Sequence, residues 1–362
     1  MRILHLDTGL AFGGGQQQVE LTLRAQQAEP FDVALLAPPA APLARRAATL
    51  AIPLFSWNPH GVGTLGTRTA LRRAVATWRP DLIHTHDARS LLLARLAALR
   101  VPVIASRRMD FAVTRRSARG LYCWAARVVA VSQAAAAPLL AAGVPAERIR
   151  IVPDGIDPAR FLALPPREPA RRRWGIAREE FHVGCLALLV PSKSPSLLLD
   201  AVAKAVKDAP RLRLTLGGEG PLRSSLEEQV RSLGLAERVR LPGFIDDPLP
   251  FFAALDLYAQ PSAMEGLGTA AIEAMAAGLP VVASDAGGLP ETVAGYGRLF
   301  PRGDADALAA LLRSLAQDPA QRQAIAAACL RRSRDFDFHR QHLLLADVYR
   351  QVLTGGPPPP VA

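Results

Sequence analysis

Short apolar runs rich in Val, Ile and Leu alternate with longer helical segments along most of this 362-residue chain. Apolar runs are predicted as strands at 2–6, 32–37, 52–55, 82–84, 103–105, 128–131, 149–152, 183–189, 212–216, 239–241, 257–259 and 281–284. Helices are predicted at 16–27, 65–78, 90–99, 196–208, 222–233, 269–277, 305–316 and 338–353. Near-continuous apolar strands joined by helices are typical of parallel sheets covered on both faces. The pattern predicts an α/β fold of doubly wound sheets.

One proline-rich break interrupts the alternation. Residues 153–169 contain five prolines and the turn pair Asp154-Gly155, which is typical of a linker between domains. We therefore predict one domain at 1–160 and a second at 161–334, with the last helix packing back on the first domain. The glycine pair and four prolines near the C-terminus predict a disordered tail at 354–362.

Composition limits the class of protein. The three cysteines, Cys123, Cys185 and Cys329, are far apart and form no disulfide or metal-ligand pattern, which favours a reducing, cytoplasmic location. Residues 1–160 carry 20 Lys and Arg against 10 Asp and Glu, whereas residues 161–362 carry 23 against 22. A basic first half suits an anionic partner such as the inner face of the plasma membrane, although a solvated arginine-rich surface has the same composition. Without interleaved aromatics or a reader motif, nucleic acid is disfavoured.

Polar residues follow several strands of the first half. Gly13–Gly15 precede a helix, where glycines let amides approach a phosphate, but a tight turn would look the same. His86 closes the fourth strand and is expected to donate to a phosphate or an acceptor hydroxyl, unless it is a plain loop histidine. A zinc site would need further ligands, and none is evident. Arg107 and Arg108 close the next strand and suit phosphate.

The strongest local pattern lies between 260 and 277. A strand ends, a loop carries Glu265 with two glycines, and a helix begins near Gly268. Amides at a helix start favour a diphosphate, and Glu273 in the second turn suits hydroxyl groups. Lys193 follows another strand and is expected to neutralise a leaving diphosphate, a surface lysine being the alternative.

These residues resemble a known family, the retaining glycosyltransferases of family 4, which have the GT-B fold of two Rossmann-like domains facing across a cleft. The resemblance is carried in the second half by 218–222, 239–244, 262–266, 273–285 and 287–291, and in the first half by the glycine loop, 81–86, 130–132 and 152–157.

The resemblance implies a role for each matching residue. Glu265 would contact the donor sugar, Glu273 the ribose and Lys193 the diphosphate, and His86 would lie by the sugar. The remaining donor contacts would come from Gly14, Gly15, Gly218, Phe244, Ile245, Gly266, Leu267, Gly268 and Thr269. Gln16, Arg107 and Arg108 are further candidates for acceptor or phosphate contacts. The family's usual reaction retains anomeric configuration without a metal, so no cofactor is expected.

One position departs from the family. Leu188 stands where the family usually has an arginine before the lysine. Either another arginine, such as Arg107 or Arg108, replaces its charge, or activity is weak, or the donor is held differently. The first hypothesis is a cytoplasmic or peripheral glycosyltransferase that moves a sugar from a nucleotide-sugar to a glycan or lipid-linked acceptor, in cell-envelope or lipopolysaccharide-type biosynthesis. The second is a catalytically silent nucleotide-sugar-binding subunit on the same fold. An epimerase or a phosphorylase is a third class, but nothing marks a pyridoxal-binding lysine.

Overall fold

The computed structural model describes residues 1–27, 31–57 and 64–355. They form two compact units. The first unit contains Met1–Gly155 and the chain from Phe338 onward, and the second contains Ile156–Asp337. The chain passes from one to the other at residues 155 and 156, five residues before the predicted boundary, because Ile156 already pairs with Asp337 in an isolated bridge. Most of the predicted tail, 356–362, lies outside the described residues.

The first unit is a seven-stranded parallel sheet in the order β3-β2-β1-β4-β5-β6-β7. Its strands are β1 (Arg2–Leu6), β2 (Asp32–Ala37), β3 (Leu54–Ser56), β4 (Leu82–Thr85), β5 (Val103–Arg107), β6 (Arg127–Ala130) and β7 (Ile149–Ile151). Its helices are α1 (Gly14–Gln27), α2 (Pro42–Thr49), α3 (Leu65–Trp78), α4 (Ala88–Leu96), the short turn α5 (Arg115–Ser117), α6 (Gln133–Ala141) and the C-terminal helix (Phe338–Thr354).

The second unit is a six-stranded parallel sheet in the order β10-β9-β8-β11-β12-β13. Its strands are β8 (Phe181–Leu186), β9 (Leu212–Gly217), β10 (Val239–Gly243), β11 (Leu257–Gln260), β12 (Val281–Ser284) and β13 (Arg298–Phe300). Its helices are α7 (Pro158–Phe161), α8 (Arg167–Arg173), α9 (Pro195–Ala205), α10 (Arg223–Ser232), α11 (Leu249–Ala254), α12 (Thr269–Ala276), α13 (Leu289–Val293), α14 (Ala305–Gln317) and α15 (Pro319–Ser333). The predicted doubly wound α/β architecture is confirmed.

Each sheet is buried by helices on both faces. In the second unit Phe251, Phe252 and Tyr258 are fully buried beside the central strands, and a Cβ on Gly184 would lie 2.2 Å from Leu255. In the first unit Leu345 and Tyr349 bring the C-terminal helix into the core of the sheet. Burying one such large apolar side chain stabilises the fold by about 1.5–3 kcal/mol, which explains why the strands read as continuous apolar runs.

Several strand boundaries differ from the prediction by one to three residues, and β13 was not predicted. The strand expected at 52–55 begins at Leu54, because the amide of Ile52 still bonds the carbonyl of Ala47 at the end of α2. The strand expected at 183–189 ends at Leu186, and Leu188 lies in the turn that follows it. Among the described residues no helix is long and apolar enough to cross a membrane.

Candidate functional site

In the second unit the candidate loops lie at the point where the order of the strands along the sheet reverses. β8 lies between β9 and β11, so the connections after β8 and β11 leave the carboxyl edge of the sheet toward opposite sides. Ligands of open α/β sheets bind in the crevice outside this point. Lys193 follows β8 and Glu265 follows β11, which brings two residues 72 positions apart to one place.

Lys193 and Glu265 form a short, mostly buried ion pair. The Nζ of Lys193 lies 2.7 Å from the Oε1 of Glu265, and their side chains are 18% and 12% exposed. The other carboxylate oxygen of Glu265 accepts from Gln260 at 3.1 Å and from Ser262 at 3.0 Å. Charge-assisted bonds of this kind hold both groups in a fixed geometry. Gln260 and Ser262 hold the carboxylate without having been predicted from the sequence.

The loop that carries Glu265 is braced by its neighbours. The amide of Gly288 donates to the carbonyl of Glu265 at 2.9 Å, and the hydroxyl of Thr292 donates to the carbonyl of Leu267 at 2.7 Å. A Cβ on Gly288 would lie 2.1 Å from the carbonyl oxygen of Gly266, so only glycine permits this approach. Gly288 therefore packs directly against the loop that carries Glu265 and helps to hold it in place.

Helix α12 begins directly after this loop. Gly268 is its N-cap residue and has φ of 88°, a left-handed conformation that favours glycine. The first turn of a helix leaves N–H groups without partners inside the helix, and the dipole adds partial positive charge, so this end suits a phosphate. Glu273 in the second turn is buried, and the Nη1 of Arg160 lies 3.9 Å from its Oε1.

A third group of loops packs closely beside this site. A Cβ on Gly217 would lie 2.6 Å from the Cδ1 of Ile245, and a Cβ on Gly218 would lie 1.8 Å from the carbonyl oxygen of Ala187. Phe244 and Leu188 are each 60% exposed. The carboxyl ends of β8, β9 and β10 thus present two exposed apolar side chains, and the arginine of the family is absent at position 188.

In the first unit the order of the strands along the sheet reverses between β1 and β4. Gly14 and Gly15 form the first turn of α1, two residues earlier than predicted, and no atom lies within 4 Å of a Cβ built on either glycine. The Nε2 of Gln16 lies 3.4 Å from the Oδ2 of Asp7. Burial of Asp7, reinforced by the nearby charge of Asp87, raises its pKa to about 6.

Three buried histidines lie together at this edge. The register of β1 and β4 pairs His5 with His84, and His86 follows at the end of β4. The Nδ1 of His5 lies 2.8 Å from the Nε2 of His86, and the ligand atoms of all three rings lie within 4.8 Å of one another. Burial is the main cause that lowers the pKa of His5 to about 4 and holds the pKa values of His84 and His86 well below their usual range.

The sequence showed no further ligand-type residue at a suitable spacing, but strand register places His5 beside His84 and His86. His5 nevertheless bonds His86 and Gln26, and His84 bonds Tyr349 and Ser106. The Nη1 of Arg108, a cation, lies 3.4 Å from the Nδ1 of His86. A spacing of 2.8 Å between two ring nitrogens is that of a hydrogen bond, so in this structure these residues belong to a polar network.

Both candidate arginines hold contacts inside the first unit. Arg108 donates from Nε to Asp154 at 3.1 Å. Arg107 donates to the carbonyl of Phe111 at 2.5 Å and to the hydroxyl of Tyr122 at 3.4 Å. Their suggested role as substitutes for the charge missing at Leu188 stays a prediction.

Two family descriptions together match most of the chain. Residues 12–160 match "Glycosyltransferase Family 4" and residues 166–330 match "Glycosyl transferases group 1". The chain belongs to glycosyltransferase family 4. Its two parallel-sheet units are the Rossmann-like domains of the GT-B fold, as the resemblance implied.

Relatives and solved structures agree with this family 4 assignment. A D-inositol 3-phosphate glycosyltransferase of Kineococcus radiotolerans is 33% identical over 58% of this chain and 53% of its own length. A GDP-mannose-dependent phosphatidylinositol monomannoside mannosyltransferase of Corynebacterium glutamicum is 32% identical over 49% of each chain. The chain thus matches about half the length of these relatives. The structure of Anabaena Alr3699/HepE in complex with UDP and glucose is 25% identical, with a TM-score of 0.86, and covers 97% of this chain and 100% of its own.

In this family 4 chain the residues that the sequence did not predict are hydrogen-bonded to the predicted residues or to their partners. Gln260 and Ser262 bond Glu265, His5 bonds His86, and Gln26 bonds His5. His5 could have been found, since it is a polar residue in an apolar first strand, but nothing local in the sequence links Gln26 to it.

Proposed function

We propose that this chain transfers a sugar from a nucleotide-sugar donor to a hydroxyl acceptor with retention of anomeric configuration. The observation that carries the proposal is the Lys193–Glu265 pair, at 2.7 Å, beside the start of α12 at the reversal point of the second sheet. An ammonium, a held carboxylate and a helix N-terminus provide complementary partners for a sugar linked to a diphosphate.

Each group then has a separate task. Lys193 and the first amides of α12 stabilise negative charge on the departing diphosphate, Glu265 orients the sugar, and Glu273 accepts from the ribose. The bond from the anomeric carbon to the phosphate oxygen breaks while the acceptor oxygen bonds the same face of that carbon. The acceptor proton passes to the departing phosphate oxygen, so the step needs neither a carboxylate nucleophile nor a metal, and EDTA should leave the rate unchanged.

The donor can be identified by a thermal-shift screen of UDP-, GDP- and ADP-sugars. A ligand at 100 times its dissociation constant stabilises the protein by about 2.7 kcal/mol, so the correct nucleotide-sugar should raise Tm by several degrees. NMR of the product should then show the anomeric configuration of the donor. Absence of any shift and of any transfer would reject the proposal, and inversion would reject the retaining mechanism.

Leu188 favours a second function, a catalytically silent subunit that binds nucleotide-sugars. The arginine expected before Lys193 is absent, and loss of one charge-assisted contact in the transition state lowers rates by about 10²–10³. Tight donor binding without transfer or hydrolysis over a broad acceptor panel would favour the silent subunit. Restoring the charge by Leu188→Arg separates the two, since it should accelerate an active enzyme.

For the acceptor we propose a phosphate-bearing or lipid-linked molecule of the cell envelope, met at the inner surface of the plasma membrane. Two similar proteins are named for inositol 3-phosphate and for a phosphatidylinositol mannoside. Arg115, Arg116 and Arg119 are exposed on consecutive turns of the basic first unit, and Phe111, four residues before Arg115, is also exposed. Basic residues near an anionic surface contribute about 1 kcal/mol each to binding.

The double variant Arg115→Gln/Arg116→Gln is therefore expected to bind anionic liposomes roughly 10- to 30-fold more weakly in co-sedimentation. Arg72→Gln/Arg73→Gln is the matched control, because it removes the same charge from another exposed pair of the same unit. Equal loss in both variants, or binding that does not respond to salt, would contradict a specific membrane-facing surface.

A further inference from the structure

The histidine cluster belongs to one continuous chain of hydrogen bonds in the first unit. The chain joins side chains from β1, α1, β4, β5 and the C-terminal helix. Its successive contacts are Arg108 Nη1 to His86 Nδ1 at 3.4 Å, His86 Nε2 to His5 Nδ1 at 2.8 Å, His5 Nε2 to Gln26 Oε1 at 2.8 Å, Gln26 Nε2 to Tyr349 OH at 3.1 Å, Tyr349 OH to His84 Nδ1 at 2.7 Å, and His84 Nε2 to Ser106 Oγ at 2.8 Å.

The direction of this chain follows from its Arg108 end. A guanidinium can only donate, so the Nδ1 of His86 must be the acceptor. In a neutral imidazole the other nitrogen carries the proton, so the Nε2 of His86 donates to His5. The same reasoning makes the Nε2 of His5 a donor to Gln26.

The remaining links agree with that direction. The carbonyl oxygen of Gln26 faces His5, and its amide nitrogen faces the hydroxyl of Tyr349, which then donates to His84. Reversing every bond would turn an N–H of His86 toward an N–H of Arg108, with no acceptor between them. One protonation pattern therefore satisfies every link of the chain.

The charges around the rings keep them neutral. All three histidines are buried, Arg108 opposes a positive charge on each, and the carboxylate of Asp154 is already bonded to Arg108. Imidazolium formation would also break the chain, since a fully protonated ring has no acceptor nitrogen.

We propose that His5 and Gln26 are positioning residues that hold His86 with its proton on Nε2, so that Nδ1 accepts a hydrogen bond from a sugar hydroxyl. The sugar rests on the proposed function; the protonation pattern does not. Arg108 reaches Nδ1 only at 3.4 Å, so a hydroxyl at a normal distance can replace or share that contact. A phosphate would bring acceptor oxygens against the lone pair of Nδ1, and no hydrogen bond could form. This proposal differs from the expectation that His86 donates to a phosphate or an acceptor hydroxyl, because here His86 accepts from the hydroxyl.

The wild-type protein provides the first test and needs no ligand. Long-range ¹H–¹⁵N NMR of histidine-labelled protein should show His86 with a protonated Nε2 and an unprotonated Nδ1 at neutral pH. A proton on Nδ1, a charged ring, or joint shifts of His5, His84 and His86 on zinc titration would overturn the proposal.

Gln26→Glu provides the second test. Its carboxylate favours a charged His5, whose Nδ1 then donates to His86 and moves the proton of His86 to Nδ1. The NMR pattern of His86 should invert, while Gln27→Glu, one residue along and exposed, should leave it unchanged. If Gln26→Glu does not fold, the wild-type spectrum still decides the protonation pattern.

Binding measurements distinguish a contact between His86 and the sugar from a contact between His86 and the phosphate. Gln26→Glu should weaken binding of the nucleotide-sugar found in the donor screen by about 10- to 100-fold. This is the range observed when the partner that orients a metal-binding histidine is lost. The corresponding nucleoside diphosphate, which lacks the sugar, should bind both proteins equally. An equal loss of affinity for both ligands would place His86 at the phosphate and overturn the hydroxyl assignment. Failure of every transfer assay with an intact NMR pattern would reject the proposed function alone.

Discussion

Replacing Lys193 by alanine is expected to lower kcat by about 10²–10³. The ammonium lies 2.7 Å from Glu265 at the reversal point of the second sheet, where charge develops on the departing diphosphate in the proposed reaction. Its contribution grows as the phosphate bond breaks, so the loss should appear mainly in kcat and less in donor KM. Steady-state kinetics with the donor found by thermal shift measure both quantities.

Lys204→Ala is the matched control for this variant. Lys204 also forms a lysine–carboxylate pair at 2.7 Å, with Asp306, but both side chains are exposed, and Lys204 lies at the C-terminal end of α9 whereas Lys193 precedes its start. Such surface pairs contribute little to stability, and we expect Lys204→Ala to change kcat by less than twofold. A Lys193→Ala enzyme that kept more than a tenth of wild-type activity would show that the diphosphate is held elsewhere. Glu265 keeps its bonds to Gln260 and Ser262 in the variant, so folding should survive.

Arg171→Leu is expected to destabilise the second unit by about 3–5 kcal/mol. Arg171 is 2% exposed, and its guanidinium donates to Asp256 at 3.0 Å and to the carbonyl of Glu180 at 2.8 Å. Leucine fills similar apolar space, but Asp256 is left with Arg167 as its cationic partner, and the carbonyls that Arg171 bonds lose their donor. For a unit of this size the transition should move down by roughly 10 °C in calorimetry.

Arg172→Leu serves as the comparison, since it makes the same substitution at the next residue of α8, which is exposed. Substitutions at such surface positions usually change stability by less than about 0.5 kcal/mol. Similar melting of both variants would mean that the buried pair of Arg171 and Asp256 adds nothing to stability. Asp256 also accepts from the amide of His182 at the start of β8, so the pair connects α8 to the central strands of the sheet.

The predicted site in the second unit depended on a rule that sequence can apply. Lys193 and Glu265 each follow an apolar run, and the carboxyl ends of parallel strands share one edge. What the sequence could not supply is the strand order that makes β8 and β11 neighbours. Asp304 shows a fully local case, since its Oδ1 caps α14 by accepting from the amide of Ala307 at 2.8 Å.

The first unit shows the opposite case. His86 was identifiable as a strand-end residue, but its protonation depends on His5, 81 positions earlier, and on Gln26 and Tyr349, which lie 323 positions apart. These contacts follow from strand register and from the packing of the C-terminal helix, neither of which leaves a local pattern.

The sequence by itself determined the fold class, the family and the loops that carry the candidate residues, because apolar periodicity, glycine positions and helix starts are properties of neighbouring residues. Only the tertiary structure decided which side chains share a hydrogen bond, since strand order and register bring together residues separated by long stretches of chain. The protonation of His86 and the partner of Lys193 depend on such contacts.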